Sequence, residues 1–146
     1  MEPNRAMQYM EQGYVCSESV LLAVCQDLGI ESEVIPQVAY LFAGGFGNTG
    51  APCGAVCGAM MALSLGTKPA ETMEGNLRRL AIGQEFRRRF EAEMGSINCR
   101  DLTGLDLTTE EGIEQLMSSD VPMKVCFPAV GLAYQLVLDL LQESAA

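Results

Sequence analysis

Residues 34 to 67 carry no charged side chain. An uncharged run of that length belongs either inside a folded domain or across a membrane, and its punctuation decides between them. Pro36, Gly44, Gly45, Gly47, Asn48, Gly50 and Pro52 cut the run. Its longest clean helical piece, Pro52 to Leu65, falls short of the roughly 20 residues a span requires. The run therefore reads as interior, with no membrane span, and the flanking sequence must supply the elements that cover it.

That flanking sequence is helical in pattern almost throughout. Residues 4 to 12 make a short first helix, stopped by Gly13. A second covers about Ser17 to Leu28, with Val20, Leu21, Val24 and Leu28 at helical spacing and Gly29 as its stop. A third covers about Glu33 to Phe42. A fourth begins at Pro52, a residue suited to the first helical position, and ends at Gly66. Thr67, Lys68 and Pro69 open a long fifth helix to about Met94 and Gly95. It is braced by Glu74 with Arg78, Glu85 with Arg89, and Arg87 with Glu91, each pair one turn apart. Thr108-x-x-Glu111 reads as the capping box of a short sixth helix. The last runs from about Phe127 or Pro128 to Glu143, with Val130, Ala133, Val137, Leu140 and Leu141 apolar. No strand series and no internal repeat is visible. The fold class is all-α: a compact single-domain helical bundle of about six or seven helices over residues 1 to 146.

Composition then narrows the chemistry. At 146 residues, 49% hydrophobic and 19% charged, the chain is no disordered segment. Its net charge of -10 makes it a poor general binder of nucleic acid or anionic membrane. The absence of histidine removes Ser–His and Cys–His catalysis, His-ligated zinc and C-x-x-C-H haem attachment. Six cysteines remain: Cys16, Cys25, Cys53, Cys57, Cys99 and Cys126. The first residues show no basic segment followed by an apolar one, so no secretory signal is read. The expected compartment is the reducing cytoplasm, where cysteines are more often metal-binding or redox-active than structural disulfides.

Three cysteines fall at expected helix starts: Cys16 just before the second helix, Cys53 in the first turn of the fourth, and Cys126 just before the last. Free N–H groups and the positive dipole end favour a thiolate there. Cys99 is expected in a loop, where Arg100 favours a thiolate instead. Cys53 and Cys57, four apart on one helix, have β-carbons about 5–6 Å apart, against about 3.8 Å in a disulfide, so any partner of Cys53 comes from another element. No C-x-x-C occurs, and the spacings are unlike those of a zinc ribbon. The competing reading takes each cysteine as a small buried hydrophobe. It suits Cys25 in mid-helix. It also suits Cys57, on a helix kept narrow by Gly54-x-x-x-Gly58 and Ala55-x-x-x-Ala59. It suits Cys16, Cys53, Cys99 and Cys126 less well, because all four lie at element boundaries.

The stretch GGFGNTG, residues 44 to 50, lacks the lysine of a phosphate loop and follows a helix rather than a strand. Its glycines are expected to bring backbone close to a buried site around Cys53. Arg78, Arg79, Arg87, Arg88 and Arg89 read as a solvated, acid-paired helix face, with a docking patch for an acidic partner as the alternative.

Four blocks resemble a known family: AMQYMEQGYVCSESVLLAV with Cys16, GGFGNTGAPCGAVCGAMMALSLG with Cys53, EFRRRFEAEMGSINCRDLTG with Cys99, and VCFPAVGLAYQLVLDLL with Cys126. The family is named for its cysteine pattern, C_GCAxxG_C_C. It is found mainly in anaerobic bacteria and archaea and carries a redox-active label. The resemblance implies redox chemistry without fixing reaction or substrate. Similar domains also occur joined to multihaem cytochrome segments, which points toward electron transfer. The core here reads Pro52-Cys53-Gly54-Ala55-Val56-Cys57-Gly58, so the Gly-Cys-Ala wording is met loosely. Cys25 and Cys57 are additional to the family's four cysteines.

Three functions compete. In the first, Cys53 is the leading thiolate of a thiol–disulfide protein, and Cys16, Cys99 or Cys126 resolves it. The partner is then a redox protein or a small thiol or disulfide. In the second, Cys16, Cys53, Cys99 and Cys126 ligate a [2Fe–2S] cluster in an electron carrier. In the third, the same four hold structural zinc, or the chain is an interaction module without turnover. A homodimer is a further expectation, from the narrow Gly/Ala helix faces.

Overall fold

Short-range capping chemistry sets most of the helix boundaries. The computed structural model describes residues 3–145; residues 1, 2 and 146 of the expected domain lie outside that range. The Asn4 side chain accepts from Met7 N–H and starts α1, Arg5–Glu11. Helix α2 is Cys16–Leu28. The Glu18 carboxylate accepts from Val15 N–H at its start, and Gly29 closes it in the left-handed region at φ 70°. Gln37–Phe42 is a 3₁₀ helix, and Ala43–Phe46 is a single turn, α3. Helix α4 is Gly54–Gly66, and α5 is Met73–Met94, capped by Thr72 and closed by Gly95. A short α6, Cys99–Thr103, precedes α7, Glu110–Ser118. A π-helical turn, Pro122–Cys126, leads into α8, Phe127–Ala145. Among the described residues there is no strand, only an isolated antiparallel bridge between Pro52 and Asn98. The fold is all-α.

Several boundaries differ from the sequence expectation, each for a local reason. The expected helix over 33–42 shrinks to the 3₁₀ segment, because Pro36 cannot sit inside an α-helix that begins at Glu33. Pro52 stays outside α4, and Cys53 becomes the N-cap. The fifth helix starts at Met73 rather than near Thr67, since Thr72 offers a side-chain cap to Gly75 N–H. The cap of α7 is Thr109, whose hydroxyl accepts from Gly112 N–H; Thr108 is bound to Asp106 instead. Arg79 is not part of an acid-paired face. Its guanidinium donates to the carbonyls of Ser64 and Thr67 at the end of α4. The expected pairs do form, with Arg78–Glu74 at 3.2 Å, Arg87–Glu91 at 2.6 Å and Arg89–Glu85 at 3.8 Å.

The core is one cluster drawn from α1, α2, α4, α5 and α8. Val20, Leu21 and Val24 of α2 are buried in it, while Leu28, expected in the same stripe, is exposed. Phe86 and Phe90 are fully buried and stack, ring centroids 5.9 Å apart. Helix α4 lies tightly on α2 because Gly54 and Gly58 carry no side chain. A Cβ on Gly54 would stand 2.3 Å from Cys16 Sγ, and one on Gly58 would stand 2.4 Å from the Ser17 carbonyl. The small-residue face is therefore spent inside the monomer and is not free to pair with a second copy. Pro122–Ala145 is long and apolar enough to cross a membrane, with a mean hydropathy of 1.5. About half of that apolar window, Val130, Ala133 and Val137 included, is buried against the other helices.

Candidate functional site

Four segments converge on one cavity of about 360 Å³, and each brings a cysteine: Cys16, Cys53, Cys99 and Cys126 all line it. Cys16 is the first residue of α2, and its sulfur fills the space left by the missing side chain of Gly54. Cys53 is the N-cap of α4. The Pro52–Asn98 bridge fixes the third: Cys53 N–H donates to the Ile97 carbonyl at 2.6 Å, and Cys99 N–H donates to the Ala51 carbonyl at 2.9 Å. Side-chain alternation about that bridge puts Cys53 and Cys99 on the same side of the paired backbones.

Two placements correct the sequence reading. Cys99 is not in a loop; it opens the short helix α6, with Asn98 as N-cap. Cys126 does stand immediately before α8, but not at a free helix start. It ends the π turn that is continuous with α8, so the N–H groups at the start of α8 are not left free beside it. Pro128 explains the π turn: it has no N–H to give and its ring crowds the preceding turn, and a wider turn relieves both. Phe127 N–H accordingly reaches back to the Pro122 carbonyl.

The glycine stretch does bring backbone to the site. Gly44, Gly45, Phe46, Gly47 and Asn48 all have φ between 61° and 73°, a turn of left-handed sense. A Cβ on Gly45 would meet the Ala51 carbonyl at 2.3 Å. The turn points Gly44 N–H at Cys16, whose sulfur is also faced by N–H groups of Ser17 and Ala55.

Electrostatics run against the expected thiolate. Burial pushes Cys16 up, outweighing those N–H groups. Burial also pushes Cys53 far up, and the neighbouring Cys16 and Cys99 add to it, while Ala55 and Val56 N–H only partly offset the rise. Cys99 is pushed up to about 11 by burial and by Cys16, with Thr103 easing it. Cys126 rises to about 12 by burial, then by Cys16 and Cys99. The helix-terminus argument is thus corrected: the N–H groups are present, but desolvation of an uncharged cavity is the larger effect. All six cysteines are free, and crowding among four sulfurs favours states without negative charge, namely thiols or a disulfide.

Cys25 is buried in the core away from this cavity, at 1% exposure. Cys57 lies outside the cavity wall, in a neighbouring groove with Phe42, Phe46 and Met60. It still senses the site: burial and then Cys16 push it up to about 11. Spacing alone did not mark Cys57, because its link runs through Cys16 on another helix.

Thiolates are the right donors for iron–sulfur or zinc. Among the described residues, however, no group of three or more Cys, Asp or Glu side chains is arranged to hold a metal ion.

No curated protein and no solved structure matches this chain significantly. A family model does, over residues 14–140, and its description reads "Putative redox-active protein (C_GCAxxG_C_C)". That description supports a general redox role. The match takes in all four cavity cysteines and nearly the whole fold, and the chain belongs to the C_GCAxxG_C_C family.

Proposed function

We propose that the chain is a cysteine-based redox protein that exchanges thiols and disulfides at Cys16, Cys53, Cys99 and Cys126, within a reducing compartment such as the cytoplasm. The observation that carries this reading is the convergence of four sequence-distant cysteines on one cavity. Cys53 and Cys16 are the exchanging pair: the Cys16 sulfur rests against Gly54, the residue next to Cys53. One sulfur attacks the substrate disulfide, and the other resolves the mixed disulfide. Cys99 and Cys126 complete the sulfur wall. Because burial outweighs the N–H groups that face Cys16 and Cys53, the reduced form gains little from ionisation. That removes the stabilisation of the reduced form that a low-pKa thiolate gives an oxidant, and so biases the pair toward reducing its partner.

Anaerobic purification followed by a visible spectrum, assays of iron, sulfide and zinc, and a thiol titration tests the proposal. Colourless, metal-free protein that reversibly loses two titratable thiols is the expected result. Brown protein with stoichiometric iron and sulfide would replace thiol exchange with a [2Fe–2S] electron carrier on the same cysteines. Bound zinc without redox response would mean a structural site. Cys53→Ser abolishes the two-thiol reaction, whereas Cys25→Ser leaves it nearly intact; full activity of Cys53→Ser rejects the assignment.

A further inference from the structure

The walls of the cysteine cavity say what it admits. None of its lining residues is Lys, Arg, Asp or Glu. Met10, Val15, Leu102, Leu107, Leu116 and Phe127 are among its apolar lining, and Tyr14, Asn48 and Thr103 are its polar side chains besides the cysteines. Its volume of about 360 Å³ sits at the small end of ligand pockets, which run roughly 300–1,000 Å³. It reaches solvent, because Met117 on its rim is 78% exposed and Tyr14 is 37% exposed. A charged substrate entering it would lose water and find no counter-charge. Anions meet a second obstacle, the net charge of -10 on the chain.

We infer that this cavity takes a small, uncharged, apolar disulfide as its substrate. The inference rests on the thiol-exchange reading above and adds the substrate class. One cavity sulfur, having lost its proton, attacks a substrate sulfur; the S–S bond breaks and an alkanethiolate leaves, taking up that proton. The second cavity sulfur displaces the other alkanethiolate from the mixed disulfide, and its proton goes to that group. The substrate gains two electrons and becomes two thiols, while two protein thiols become one disulfide. No further reagent is needed for this single turnover.

The test uses the fully reduced chain without oxygen and three probes: diethyl disulfide, anionic dithiodiglycolate and cationic cystamine. Loss of protein thiols is followed for each, and each rate is divided by that of the same probe with N-acetylcysteinamide. Diethyl disulfide is expected to lead both charged probes by about tenfold or more in this normalised rate. Charged probes that match it while still removing two thiols would overturn the substrate class and leave thiol exchange standing. No two-thiol loss with any probe would sink thiol exchange itself. Met117→Lys supplies the second arm, since an exposed rim position tolerates a charge without loss of fold. It is expected to raise dithiodiglycolate relative to diethyl disulfide by about threefold. An unchanged ratio would count against entry through this cavity and overturn its assignment as the substrate site.

Discussion

Raising the pH should awaken these thiols in a way that separates burial from ordinary cysteine chemistry. An unperturbed thiol titrates near 9, Cys99 near 11 and Cys126 near 12. At pH 8 the ionised fractions are therefore about one-tenth, one-thousandth and one ten-thousandth. A more basic thiolate is intrinsically more nucleophilic, with a Brønsted slope of about 0.4–0.5, which returns roughly eightfold to Cys99 and twentyfold to Cys126. The net expectation is alkylation by iodoacetamide about tenfold slower than a free thiol at Cys99 and about 50-fold slower at Cys126, before any steric slowing. Steric slowing does not depend on pH, so the slope is the decisive reading. The logarithm of each rate, resolved by peptide mass spectrometry, should rise by about one per pH unit from 7 to 10 without a plateau. A plateau below pH 7 would mean that the helix termini outweigh desolvation. A plateau near 9 would mean that the thiols react only from an opened chain. Either result refutes the reasoning.

Other outcomes follow from packing and linkage. Gly58→Ala forces a Cβ to within 2.4 Å of the Ser17 carbonyl, a backbone atom that cannot turn aside. Denaturant unfolding should show a loss of about 1–3 kcal/mol despite the better helix propensity of alanine, and an unchanged midpoint would contradict the close approach of α2 and α4. Phe90→Ala removes half of a fully buried stacked pair, and calorimetry should register a lower Tm from a loss of about 3–5 kcal/mol. Stability should hold up to about pH 9 and fall above it. Unfolded thiols ionise near 9, whereas folded Cys57, Cys99 and Cys126 keep their protons to about 11, 11 and 12, so the unfolded chain binds fewer protons in that window. Buried Tyr134, held up near 12 by burial and Asp27, acts in the same direction above pH 10. Denaturation midpoints that stay flat from pH 8 to 10.5 would contradict this linkage.

Long elements with strong punctuation could be read directly from the chain. Gly29, Gly66 and Gly95 end or immediately follow the helices they were expected to stop, and Gly13 lies one residue beyond the cap of its helix. Val130, Ala133 and Val137 face the core as their spacing implies. Shorter features were not legible, because tertiary contacts create them. The α6 turn exists where Cys99 N–H finds the Ala51 carbonyl, a partner far away in sequence. Pro128 looked like a first helical residue and instead sits within a helix that widens to accommodate it. The site showed the same division. Boundary positions singled out the four cavity cysteines, but ionisation depends on how much water the neighbours exclude, and no local motif encodes that. Cys57 was missed for a related reason, since its tie to the site crosses from one helix to another.

The sulfur-lined cavity is assembled from both halves of the chain, with walls borrowed from α1, α2, α3, α4, α6, α7 and α8. A heated or nascent molecule with these out of place keeps its thiols but has no shared chamber around Cys16, Cys53, Cys99 and Cys126. Thermal damage should therefore erase the selective chemistry before the thiols themselves are lost, and total free thiol would be a poor measure of how much competent protein a sample holds.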